Sequence, residues 1–188
     1  MSKNELEKIW NLPTDLSYNE KIEKLQQMFI GANSSEETGV EVETNKNGKK
    51  VLYPSFTKYK HYFSNGLYVR EVFCKKNSFA FTVIHNAANP LFIMKGVVYS
   101  TTENGVEKLS APTFVLTESG AKRMLWFQED TVAVSVHPNP DGLTDLDEID
   151  KKMFSCDWQE YNSSVKKDTW QAMEHEDYYK VIKKKLKK

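Results

Sequence analysis

KYKHYFSNGLYVREVFCKKNSFAFTVIH, residues 58–85, and VVYSTTENGVEKLSAPTFVLT, residues 97–117, decide the fold class. Both stretches gather aromatic and β-branched residues into short runs, the composition that suits a pleated, half-buried surface. Turn residues separate the runs. Asn65-Gly66 and Asn104-Gly105 supply the positive φ angles that tight hairpin loops require. The runs are Tyr59 to Phe63, Leu67 to Phe73, Phe79 to His85, Leu91 to Met94, Val97 to Thr102, Val106 to Leu109, Thr113 to Thr117, Lys122 to Phe127 and Thr131 to His137. No helical period interrupts them, so the segment predicts a mostly β unit closed as a barrel or a double sheet.

Outside this segment the pattern changes. Residues 1–30 read as a helical segment broken at Leu12-Pro13, with Tyr18, Ile22, Leu25 and Phe29 at helical spacing. Ser17 and Glu20 have the spacing of a capping box. Residues 31–50 are rich in Ser, Glu, Asn, Gly and Lys, and predict a flexible connection or a weak hairpin turned at Asn47-Gly48. Beyond Pro138 and Pro140, Thr144-Asp145-Leu146-Asp147 reads as a capped helix start continuing to about Phe154, and a last helix is expected from Asp168 onward. The expected organisation is a helical segment over 1–30, a barrel over 51–140 and a helical segment over 141–188, in one compact domain.

At 188 residues the chain matches one domain, large enough to bury roughly two-thirds of the surface its unfolded form exposes. Lys+Arg number 26 and Asp+Glu 26, so no global field favours nucleic acid or an anionic membrane. The polar start MSKNELEKIW and the lack of a long apolar run predict neither a signal peptide nor a membrane span. Cys74 and Cys156 form no paired motif and are expected to be reduced thiols in a cytoplasm. The lysine-rich end VIKKKLKK reads as a solvated terminus.

The strings HYFSNGLYVREVF (His61 to Phe73), VIH (Val83 to His85), MKGVVYSTTENGVEKLSAP (Met94 to Pro112), SGAKRMLWFQEDTVAVSVHPN (Ser119 to Asn139) and TDLDEID (Thr144 to Asp150) resemble a group of small cupin-like proteins encoded by tailed bacteriophages. The resemblance spans nearly half the chain. It implies a jelly-roll barrel and a phage origin, hence a host cytoplasm or, alternatively, a virion, and it implies no established activity.

Metal-dependent cupins bring an H-x-H pair, a nearby carboxylate and a later histidine together, because a catalytic metal needs several converging N/O ligands and one open position. Here His85 stands where the first ligand belongs, but Ala87 takes the place of the second, and no acid lies between it and Gly96. Gln128 precedes Glu129-Asp130-Thr131-Val132, where the phage group would carry the later histidine. His137, at the end of the following strand, is the remaining candidate. No cofactor is expected. No G-x-S-x-G, Walker A or G-x-G-x-x-G string occurs, and the run Glu174-His175-Glu176-Asp177 reads as a solvated helix face.

A barrel without its metal still offers a concave site with a few convergent polar groups. The candidate ligand-binding residues are Arg70, His85, Tyr99, Lys122, Arg123, Trp126, Gln128 and His137. Trp126 or Phe127 would stack on a planar base, and Arg70, Lys122 or Arg123 would hold a phosphate or carboxylate. Alternation along a strand lets only one member of each adjacent pair face inward. The leading expectation is a non-enzymatic binder of a small, anionic, nucleotide-like ligand, sequestering a host defence signal, in a chain expected to form a homo-oligomer and to take neither membrane nor nucleic acid as partner. The alternatives are a virion or assembly protein whose terminal helices make homo-oligomeric contacts, and a metal-dependent cupin enzyme using His85 and His137.

Overall fold

The structure, a computed structural model, describes residues 3–11, 15–31, 40–44, 48, 50–54, 57–164 and 170. Two helices come first, α1 (Lys3–Asn11) and α2 (Tyr18–Gly31), then a hairpin of β1 (Val40–Thr44) and β2 (Lys50–Pro54). The capping box forms at the start of α2: the Ser17 backbone N–H donates to the Glu20 carboxylate at 3.0 Å, and the Glu20 N–H reaches Ser17 Oγ at 3.4 Å. Within the stretch expected as a flexible connection or a weak hairpin, β1 pairs antiparallel with β2, while residues 32–39, 45–47 and 49 lie outside the described residues.

The barrel strands are β3 (Lys58–Ser64), β4 (Gly66–Cys74), β5 (Phe79–Phe81), β7 (Asn89–Lys95), β8 (Val97–Thr102), β9 (Gly105–Ser110), β10 (Thr113–Thr117), β11 (Met124–Phe127) and β12 (Thr131–Asn139), with the short β6 (Ile84–His85) between β5 and β7. They form a five-stranded sheet, β10-β7-β12-β4-β3, and a four-stranded sheet, β5-β11-β8-β9. Within these, β4 pairs with β12, β5 with β11, β7 with β10 and β8 with β9, all antiparallel. That is one long double-stranded ribbon rolled around a barrel, the jelly-roll winding.

Three apolar clusters hold it. The space between the sheets is filled by Cys74, Ala80, Ile93, Val98, Leu109 and Phe127. Helices α1 and α2 lie on the outer side of the four-stranded sheet, where Trp10, Ile22 and Leu25 meet Phe81, Tyr99, Met124 and Trp126. The third cluster closes one end of the barrel: Tyr68 packs with Ile149, Met153 and Phe154. These last three come from α3 (Leu146–Met153), capped by the Asp145 carboxylate, and β13 (Phe154–Ser155).

Several local expectations differ from the outcome. The run Phe79 to His85 is split, because β6 leaves the barrel sheet to pair with β13. Lys122 and Arg123 precede β11 rather than belonging to it. A further helix, α4 (Trp158–Ser164), follows β13 where no helix was expected. The expected helix from Asp168 onward lies outside the described residues apart from Trp170. No helix among the described residues is long and apolar enough to cross a membrane.

Candidate functional site

Alternation along β4 and β12 puts Tyr68, Arg70, Val72 and Cys74 on the inner face, opposite His137, Ser135, Ala133 and Thr131 respectively. The face changes character along its length. Val72, Cys74 and Ala133 join the apolar cluster between the sheets, while Tyr68, Arg70, Ser135 and His137, with Asn89 from β7, make the other end polar. His85 enters that end from β6. It is held through its backbone N–H, which donates to Ala121 O at 3.2 Å, and its carbonyl, which accepts from Gly120 N at 2.7 Å.

The rings at this end are layered. His85 and His137 lie 6.0 Å apart between centroids with planes 15° from parallel, and Phe154 presents itself edge-on to both, at 5.2 and 5.6 Å. The Arg70 guanidinium sits 4.7 Å over the Phe154 ring, a cation–π contact. Tyr68 extends the series outward, its ring 5.7 Å from His137 and 5.9 Å from His61, with 2.7 Å between Tyr68 Oη and His61 Nδ1. Ser135 Oγ lies 3.0 Å from His137 Nε2.

Burial dominates the electrostatics. It pushes the pKa of His85 down to about 3, with the Arg70 guanidinium adding to the fall. His137 is pushed down to about 3 as well, first by burial, then by His85 and Arg70. Both imidazoles are therefore neutral at ordinary pH. Around them Arg70 Nε and Arg123 Nε are buried without a hydrogen-bond partner, while the His85 and Asn89 side chains face and interact with each other. Buried polar groups rarely go unpaired, so such a pair of orphans marks a place built for something polar.

The eight residues singled out by sequence divide into groups. Arg70, His85 and His137 come together; Arg123 stands nearby, its charge the least of the causes lowering the pKa of His85, while its Nη1 donates to Thr101 O at 3.4 Å, the carbonyl that Tyr18 of α2 also reaches. Lys122 points the other way and is buried in an ion pair, its Nζ 2.8 Å from Glu23 Oε1 on α2. Trp126 and Tyr99 stack on each other at 5.2 Å in the core beneath α1 and α2, on the far side of the four-stranded sheet from Arg70. Gln128 is exposed in the turn after β11. Sequence reasoning missed Tyr68, Asn89, Ser135 and Phe154. Alternation about Arg70 and His137 was enough to find Tyr68 and Ser135, whereas Phe154 arrives from a segment with no motif.

The donor set does not fit the divalent metal of metal-dependent cupins. No group of three or more His, Cys, Asp or Glu side chains is placed to hold an ion among the described residues. The charge nearest the two histidines is the Arg70 guanidinium, which repels a cation.

Rolled strand order and a polar barrel end together define a small cupin-like jelly-roll protein. No protein-family model matches the chain, and no curated protein sequence does. Among solved structures it is similar to ectoine synthase from P. lautus, at 12% identity over 63% of this chain and 83% of that one, with a TM-score of 0.43. It is also similar to the EutQ protein of Clostridium difficile, at 11% identity over 60% and 86%, TM-score 0.40. A cupin-2 domain containing protein from Shewanella frigidimarina is similar at 11% identity over 44% and 80%, TM-score 0.38.

Proposed function

We propose that this protein binds a small anionic ligand at the polar end of its barrel without turning it over. The observation that carries this reading is the buried, unpartnered Nε of two arginines, Arg70 and Arg123, whose charges both act on the neutral His85. Two arginines supply donors and positive charge, Asn89 Oδ1 supplies an acceptor, and burial strengthens each interaction. Arg70 and Arg123 are each only half-buried, and the edge of His85 away from its enclosed Nδ1 is partly exposed, which leaves the site a route from solvent.

The ligand class we favour is a nucleotide-derived metabolite. A base needs a flat surface, and with Trp126 in the core that surface falls to β3, whose Tyr59, His61 and Phe63 pair in register with Val72, Arg70 and Tyr68 on the inner face. Tyr59 and Phe63 are exposed. On the resemblance to phage proteins, the role of such a site is to sequester a host signal in the host cytoplasm, which requires tight capture and no chemistry.

Calorimetry with inorganic phosphate, nucleoside monophosphates and cyclic nucleotides tests this. Micromolar binding of at least one nucleotide is expected, weakened by about 1.5–3 kcal/mol in Arg70→Gln, the range for hydrogen bonds to a charged group. Phe63→Ala is expected to weaken a nucleotide by about 1–3 kcal/mol and to leave phosphate unaffected. Heat signals absent across the whole panel would overturn the proposal.

A further inference from the structure

The outer face of the five-stranded sheet is apolar across its width. Register places Leu116, Pro90, Val136, Val69 and Tyr62 in one row, crossing β10, β7, β12, β4 and β3 in turn. Beside this row Phe114 and Phe92 are paired, their rings 6.0 Å apart. Phe114 is 60% exposed, Met94 59%, Tyr62 48%, Leu67 46%, Leu116 43% and Phe92 36%.

We infer that this face docks a second copy of the chain, sheet against sheet about a two-fold axis. The six exposed side chains alone leave roughly 600 Å² of mostly apolar surface in water, at ~200 Å² per large side chain and about half exposure each. That lies at or above the ~300–600 Å² patch a monomer ordinarily shows, and the half-buried valines between them bring it toward the ~800 Å² per partner of a standard interface.

The charge pattern favours a copy of itself. Lys58, Lys60 and Glu71 stand on the β3 side of the face, with Lys60 Nζ 3.2 Å from Glu71 Oε1, while Phe114, Leu116, Pro90, Phe92 and Met94 face outward on β10 and β7 and the exposed Lys95, opposite Val132, stands at the end of β7. A two-fold arrangement that sets the β10 end of one row against the β3 end of the other lays the apolar side chains of β10 over the Lys60–Glu71 ion pair, which is already neutralised. Stacked sheets with interdigitating side chains are the ordinary way such faces are buried.

Sedimentation of the full chain across micromolar concentrations is the test. A dimer that persists in high salt is expected, because the contact is apolar. Phe114→Glu and Met94→Glu should each give a monomer with wild-type circular dichroism. Hydrogen exchange on the unmodified protein adds a reading free of variants: protection of β7 and β10 should rise with concentration.

A monomer at every concentration overturns the inference, and so does a dimer indifferent to both substitutions. A monomer whose outer face is already protected also overturns it. That result would assign the face to the chain's own residues 171–188, which follow Trp170 at the point where its indole Nε1 donates to Thr117 O on β10, at 3.1 Å.

Discussion

Acidification should destabilise this protein well before its carboxylates titrate. His85 and His137 have an ordinary pKa of 6.5 in the unfolded chain and about 3 in the fold. Between those values the unfolded state binds more protons, so stability rises with pH throughout that window and is lost as pH falls from about 6.5 toward 3. At pH 5 one such histidine is nearly all protonated when unfolded and neutral when folded, a loss of about 2 kcal/mol. At pH 5 both are neutral in the fold, so the pair loses about twice that; their mutual repulsion enters only nearer pH 3, where the folded pair itself takes up protons. Urea melts at pH 7, 6 and 5 measure the loss directly. His137→Gln, less stable at pH 7 because it disturbs the Ser135 contact and the ring packing, should lose about 2 kcal/mol less than wild type between pH 7 and 5. Flat stability over that range, or the same slope in the variant, would refute the buried neutral pair.

Two further outcomes follow from packing. Gly96 has φ +88°, and a Cβ there would lie 2.5 Å from Asp130 O and 2.8 Å from Thr131 Oγ1, so Gly96→Ala should cost about 2–4 kcal/mol in a denaturant melt. Glu23→Ala should cost about 1–3 kcal/mol by stranding the buried Lys122 charge, whereas Lys122→Met should be nearly neutral; thermal melts of the two variants distinguish an ion pair that is needed from one that merely fills space.

Most barrel strands were legible because one face of each is buried and turn residues punctuate them. Asn65-Gly66 and Asn104-Gly105 sit in the expected hairpins, with Gly66 at φ +80° and Gly105 at φ +118°. The capping signals at Ser17 and Asp145 are local, and both form as read. What could not be read is which side of a sheet an adjacent pair presents. Trp126 and Phe127 are both buried, one beneath the helices and one between the sheets, because the four-stranded sheet is covered on both faces. The hydrophobic pattern of a doubly covered strand carries no alternation to say which residue faces the barrel. The same ambiguity put Lys122 beside Arg123 as a candidate. Phe154 was out of reach for another reason: its place depends on a two-residue pairing of β13 with β6 across the chain.

Among the described residues, the helices that flank the barrel are committed to the fold rather than free for partners. Peeling α1 and α2 away would expose Trp10, Ile22 and Leu25, each buried to within 4% of its surface, at about 1.5–3 kcal/mol for each side chain. At the other terminus α3 and β13 form a wall of the polar barrel end, since Phe154 touches His85, His137 and Arg70. Displacing them would dismantle the candidate site. An assembly role mediated by these helices would therefore work against both stability and binding. The two sheets have two outer faces, and the N-terminal helices cover the one on the four-stranded sheet. The outer face of the five-stranded sheet is not covered by these helices, and there Phe114 and Met94 stand most exposed.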